Sequence, residues 1–158
     1  MTASTFAQSA TIDEFLAAWL DHDWLTGAET LAFNTYYGSY RRSFSPRARA
    51  HYALQMTEIE GRVRANPGAR VLEVGCGMGT ESLWLGLQGA DITGVDVRPD
   101  RLAVAVARHG VLEDQISRKI PCRFSRTSLL DLPDDEKFDF IWMEQTFHHL
   151  EPRAQAVA

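Results

Sequence analysis

Residues 70–80, Arg-Val-Leu-Glu-Val-Gly-Cys-Gly-Met-Gly-Thr, constrain the fold of this chain more than any other stretch. Val71, Leu72 and Val74 form a short apolar run with the length of a buried strand. Gly75, Gly77 and Gly79 follow on alternate positions, so the backbone can turn sharply with no Cβ between it and a ligand. A helix beginning near Thr80 would aim its free N–H groups and its positive dipole end at the same space. A second apolar run, Ile92 to Val95, ends on Asp96. A carboxylate about twenty residues beyond such a turn is placed to accept hydrogen bonds from ribose hydroxyls. Strand, glycine turn, helix and strand together make a crevice for a nucleotide-like molecule.

A nicotinamide dinucleotide and S-adenosylmethionine both suit such a crevice. The dinucleotide pattern is G-x-G-x-x-G, but here the third glycine falls one residue early, at Gly79, and Thr80 stands at the expected Gly or Ala. S-adenosylmethionine has no pyrophosphate and does not need that close approach. The run Val-Leu-Glu-Val-Gly-Cys-Gly-Met-Gly resembles the first motif of class I S-adenosylmethionine-dependent methyltransferases. The resemblance extends over about residues 70–152 through Asp96, Leu-Leu-Asp-Leu-Pro133 and Phe-Asp-Phe-Ile-Trp142 followed by His-His-Leu150.

The rest of the chain reads as helices before this unit and alternating strands and helices within it. Residues 1–10 are small and polar, a loose tail. Thr11 and Glu14 make a capping box ahead of Ile12, Phe15, Leu16, Trp19 and Leu20 at helical spacing. That stripe should pack on the domain's own core; a lid over the crevice or a dimer contact is the sharper option. Phe33, Tyr36, Tyr37, Tyr40 and Phe44 suit one helical face, although Asn34, Gly38 and Ser39 weaken a helix there. Pro46 should open a long helix to about Arg64, buried through Tyr52, Met56, Ile59 and Val63 and stopped by Asn66-Pro67-Gly68. This stop divides an N-terminal helical arm, 1–66, from an α/β unit, 67–158. In that unit the pattern predicts strands at 70–75, 91–96, 121–125 and 138–143. It predicts a helix at about 79–88 and another from Pro99 closed by Gly110, with loop or a short helix over 111–119. The fold class is therefore α/β, a Rossmann-like parallel sheet with flanking helices.

The resemblance assigns roles to individual residues. It implies that Glu73 helps hold the methionine ammonium group, and a carboxylate inside an apolar strand is costly unless satisfied. It implies that Asp96 binds the ribose, that Val97 and Arg98 flank the adenine, and that Gly75, Cys76, Gly77 and Gly79 line the cofactor. Aligning Leu132-Pro133 with the family's Leu-Pro puts Ser128 where many members carry an aspartate for the adenine amino group. Ser128 or the Leu129 backbone can still bond that edge, and Asp131 reads as a solvent-facing loop residue. An arm tyrosine, Tyr36 or Tyr37, would favour the sulfonium through its ring face, though plain core packing is the commoner role of such a stripe. Glu144 and Gln145 fall at the carboxyl end of the fourth strand, where cofactor and methyl acceptor should meet. His148 or His149 can serve as a general base near neutral pH; a helix-start histidine satisfied by backbone is the commoner role. Cys76 as a catalytic thiol ranks below a small residue filling the turn.

Composition limits the partners. The 158-residue chain has a formal charge of −5 from 16 basic and 21 acidic residues, which argues against a general nucleic-acid binder. The Arg41, Arg42, Arg47, Arg49 cluster reads as a solvated, salt-bridged face. Two distant cysteines, Cys76 and Cys122, lack metal-type spacing and read as reduced thiols of a cytoplasmic protein. The first residues do not read as a signal peptide, and no apolar run in the sequence has spanning length. No Asn-Pro-Pro-Tyr or Asp-Pro-Pro-Tyr run follows the fourth strand, which favours a small-molecule acceptor over a nucleobase amine.

The family sheet has seven strands in the order 3-2-1-4-5-7-6, and only strands one to four are visible. The expectation is a truncated methyltransferase whose apolar fourth strand lies at an edge, or one completed by another chain through that edge or the N-terminal helices as a homodimer. Cofactor contacts should then be readable and the acceptor not. Two other readings stay open, a non-catalytic cofactor-binding or scaffold module and a nicotinamide-dependent oxidoreductase.

Overall fold

The structure is a computed structural model that describes residues 5–21, 24–43 and 45–156. Four parallel strands make one sheet in the order β3-β2-β1-β4, with β1 Arg70–Val74, β2 Asp91–Asp96, β3 Cys122–Arg126 and β4 Phe140–Trp142. Helix α5, Thr80–Leu87, connects β1 to β2, and α6, Pro99–Ile116, connects β2 to β3. Chain direction across the sheet reverses beside β1, with β2 on one side and β4 on the other. Such a switch point opens a crevice at the carboxyl ends of the strands. The register pairs Val74 with Val95 and Glu73 with Trp142, so β1, β2 and β4 deliver their ends to the same place.

Four helices precede the sheet: α1 Thr5–Gln8, α2 Ile12–Leu20, α3 Gly27–Ser43 and α4 Pro46–Ala65. The α2 cap forms with Thr11 at the N-cap as predicted, but the Glu14 carboxylate reaches one residue further back than a capping box requires. The Glu14 N–H donates to Thr11 Oγ1 at 3.2 Å, and the Glu14 carboxylate accepts from the Ala10 N–H at 2.6 Å. Ile12, Phe15, Leu16 and Trp19 are buried in one cluster with Met56, Val63, Leu83, Trp84, Ile92 and Leu112. The stripe on α2 thus packs on the core it shares with α5 and α6. One polar pair inside this core is matched: Trp84 Nε1 donates to Glu60 at 2.7 Å, and Glu60 lies 3.6 Å from Arg64, whereas Trp19 Nε1 is buried without a hydrogen-bond partner.

Three local expectations are corrected. The first ten residues are not all loose tail, because α1 seats Phe6 against Phe15, Trp19 and Trp24. Residues 27–43 are helical despite Asn34, Gly38 and Ser39, since burying Phe33 against Trp19 outweighs weak propensity. The side chain of Tyr40 and all of Phe44 lie outside the described residues. Gly110 does not close α6, which runs on to Ile116 and ends at Ser117 in the left-handed region (φ 54°). The next turn continues the buried face through Leu112, and Glu113 accepts from the Ile120 N–H at 2.8 Å, so the helix gains more by continuing than glycine costs. Among the described residues no helix is long and apolar enough to cross a membrane.

Candidate functional site

The glycine turn closes β1 onto the end of β2. The N–H groups of Gly75 and Cys76 donate to the Val95 carbonyl at 2.7 and 3.0 Å. All three glycines have positive φ (74°, 54° and 75°), but each meets a different neighbour. A Cβ on Gly75 would overlap the Thr146 side chain, 2.2 Å from its Oγ1, and one on Gly79 would press on Phe124 and Ala105 at 2.9–3.0 Å. A Cβ on Gly77 would meet nothing closer than the Gly75 carbonyl oxygen at 4.0 Å. Gly75 and Gly79 are therefore small for packing, whereas Gly77 opens onto free space.

Asp96 stands beside that opening, 8% exposed. One carboxylate oxygen accepts the Gly77 N–H and the other the Arg98 N–H, each at 2.8 Å. Each oxygen keeps a further lone pair for a ligand hydroxyl. Val97 follows with 61% of its surface exposed at the same strand end.

Glu73 is 2% exposed at the end of β1 and accepts the Ser82 hydroxyl from α5. Burial holds its carboxyl well above the ordinary range, with the Glu81 carboxylate adding to the rise. Glu81 is half-buried in the first turn of α5 and is also raised by burial, although the Tyr52 hydroxyl of α4 donates to it at 2.5 Å and partly offsets this. Glu144, at the end of β4, raises Glu81 further, and the positive charge of Arg108 lowers it. A carboxyl that holds its proton more tightly when folded stabilises the protein at and below the ordinary carboxylate range. That stability is lost as pH rises through the folded value. The protein's unfolding midpoint in urea should accordingly fall over this interval, and Glu73→Gln should flatten the decline; an unchanged slope in the variant would contradict this account of Glu73.

Of the remaining sequence candidates, Ser128 and Leu129 follow the carboxyl end of β3, and those in 144–149 follow the carboxyl end of β4. Ser128 caps a single 3-10 turn, Leu129–Asp131, with its hydroxyl accepting from the Leu130 N–H at 3.3 Å, and Leu129 is half-buried beside it. The Thr127 N–H donates to the Asp96 carbonyl at 3.2 Å, which ties this segment to the end of β2. Beyond β4 the half-buried Glu144 leads into Gln145, whose φ of 52° turns the chain back so that Thr146 covers Gly75. His148 and His149 are exposed, with ring centroids 3.9 Å apart. Cys76 and Cys122 are buried, and desolvation pushes both thiols up, away from the reactive thiolate. Tyr36 is half exposed, under the Arg101 guanidinium at 5.1 Å, while Tyr37 accepts the Thr80 hydroxyl at 2.7 Å.

Sequence reasoning passed over Ser82, Glu81, Thr146 and Arg108. The polar trio Thr80-Glu81-Ser82 just after the glycines, and an arginine in the apolar stripe Leu102, Ala105, Leu112, were the available signals.

Residues 71–158 match the family model described as a methyltransferase domain. Methyltransferase GfsG of Streptomyces halstedii is 33% identical over 129 residues, covering 78% of this chain and 44% of that protein. A ubiquinone biosynthesis O-methyltransferase of Hahella chejuensis is 34% identical over 107 residues, 66% of this chain and 42% of that protein. The structure of magnesium protoporphyrin IX methyltransferase from Synechocystis with bound S-adenosylhomocysteine superposes with a TM-score of 0.60. It covers 78% of this chain and 60% of that one, and at 19% identity it bears on the fold alone. This chain belongs to the methyltransferase domain family, of the class I S-adenosylmethionine-dependent type. It spans somewhat under half the length of the curated relatives it matches.

Proposed function

We propose that the chain binds S-adenosylmethionine in the crevice between Gly77 and Asp96 and directs its methyl group to a small-molecule acceptor. The observation that carries this reading is the Gly77–Asp96 pairing: a turn left open to a ligand, held by a carboxylate with acceptor capacity to spare. The chemistry of the residues present suits the cofactor. Asp96 would take the ribose hydroxyls, Glu73 the cationic amino-acid end, and Val97 with the Ser128–Leu129 segment the adenine. Bound there, the cofactor would supply an electrophilic methyl group on a sulfonium centre.

The chain's own residues then have a limited task. Attack on a sulfonium neutralises charge, so alignment and exclusion of water can carry much of the rate with little acid–base help. Thr146 packs closely over the Gly75 turn at the end of β1. Glu144, half-buried at the end of β4, is the candidate to face the acceptor, and the exposed His148 is the candidate to take a proton from it. The small-molecule acceptor is supported by the relative named for ubiquinone biosynthesis and by the acidic net charge of −5. Incubating the protein with S-adenosylmethionine and a panel of phenol, hydroxyl, amine and thiol acceptors should release S-adenosylhomocysteine with at least one of them. Release with none, by protein that binds the cofactor, would instead make this chain a cofactor-holding scaffold.

A further inference from the structure

Arg108 lies on α6 with 0% of its surface exposed, yet its hydrogen bonds go to no carboxylate. Its Nη1 donates to the Met78 carbonyl, inside the glycine turn, and to Thr80 Oγ1, the first residue of α5, each at 2.8 Å. Thr80 in turn donates to Tyr37. The guanidinium is boxed by three rings of the N-terminal helices: Trp19 of α2 at 4.5 Å, and Phe33 and Tyr37 of α3 at 4.7 and 5.9 Å. Its Nε and Nη2 are buried without a hydrogen-bond partner.

A buried cation without a direct anionic partner costs stability, and a well-packed apolar residue in its place is often neutral or stabilising. Arg108 is therefore a poor device for stability. Its bonds hold the part of the turn that Val95 and Asp96 do not reach: Gly75 and Cys76 are held by Val95 and Gly77 by Asp96, whereas Arg108 holds Met78 and, together with Tyr37, Thr80. We propose that Arg108 is a positioning residue for the cofactor turn, and that the aromatic box of the N-terminal helices serves to hold its guanidinium against Met78 and Thr80. The arm then takes part in cofactor binding through Arg108, without touching the cofactor. Lysine cannot reproduce this, because a single ammonium lacks the planar fork that stacks on rings while bonding two acceptors.

The inference rests on the cofactor reading above, and the experiment separates the two. Arg108→Met and Arg108→Lys are compared with wild type by titration with S-adenosylhomocysteine, by urea unfolding, and by hydrogen exchange over residues 77–83 of the ligand-free protein. Arg108→Met should bind at least about tenfold more weakly, as when a charged donor is lost, with Arg108→Lys between it and wild type. Exchange over 77–83 should quicken while β1 and β2 stay protected, a local change that general destabilisation would not produce. Wild type failing to bind would remove the cofactor reading while the exchange result still judges Arg108. Folded Arg108→Met that binds within about twofold of wild type, or leaves exchange over 77–83 unchanged, would overturn the proposal. Should Arg108→Met not fold, Thr80→Val removes the hydroxyl alone: weaker binding and faster exchange support the role, and wild-type values on both refute it.

Discussion

Asp96→Ala is expected to weaken S-adenosylhomocysteine binding by at least about tenfold and to lower stability at the same time. The carboxylate does two things in the folded protein. It accepts the Gly77 and Arg98 N–H groups, joining the glycine turn to the end of β2. In the proposed complex it would also accept from the ribose. Hydrogen bonds to charged groups contribute about 1.5–3 kcal/mol each, and leaving buried N–H groups without an acceptor costs a comparable amount. Asp96→Asn separates the two losses, because one amide oxygen can still accept from one N–H while the charge is gone. Titration calorimetry beside urea unfolding reads both. Alanine with wild-type affinity would remove Asp96 from the site.

Gly75→Ala is expected to destabilise the protein by roughly 2–5 kcal/mol, combining a left-handed backbone cost with overpacking. The added methyl would fall 2.2 Å from Thr146 Oγ1, and φ is 74°. The neighbour is a side chain, so Gly75→Ala/Thr146→Gly should recover the overpacking part and leave the backbone part. Gly77→Ala is the control. At φ 54° it carries a similar backbone cost of about 1–2 kcal/mol, but its methyl enters open space. It should fold with a modest loss and bind cofactor poorly. Equal losses of stability in the two variants would contradict the division of labour between these glycines.

Strands β1 and β2 were legible because two signals coincide in each: an apolar run of strand length, and a glycine or aspartate at its carboxyl end. Arg70–Val74 and Asp91–Asp96 show this, and the β3-β2-β1-β4 order agrees with the start of the family order. Glycine alone was a poorer guide. Gly89 follows α5 at φ 107°, but Gly110 lies inside α6 because the buried face continues to Leu112. Local propensity also understated α3, whose stability comes from rings on other helices. Of the residues proposed for the site, Glu73, Gly77 and Asp96 could be singled out from position along the chain. Their partners could not: Ser82 reaches Glu73 across a helix–strand contact, Tyr52 reaches Glu81 from α4, and Thr146 covers Gly75 from beyond β4. Arg108 was hidden for the same reason, since its acceptors lie thirty and twenty-eight positions away in the chain.

At the sheet edge, Ile141 of β4 is 55% exposed and β4 pairs only with β1 among the described residues. In the proposed reading the acceptor side of the crevice would lie along this edge, past Glu144.

The most direct test of the central claim is calorimetric titration of the wild-type protein with S-adenosylhomocysteine, repeated with S-adenosylmethionine as competitor and with NADH in parallel. The account predicts a single site for the homocysteine form, displaced by S-adenosylmethionine and indifferent to NADH. A cooperatively folded protein that takes up neither S-adenosyl compound, or that takes up NADH in their place, would contradict it.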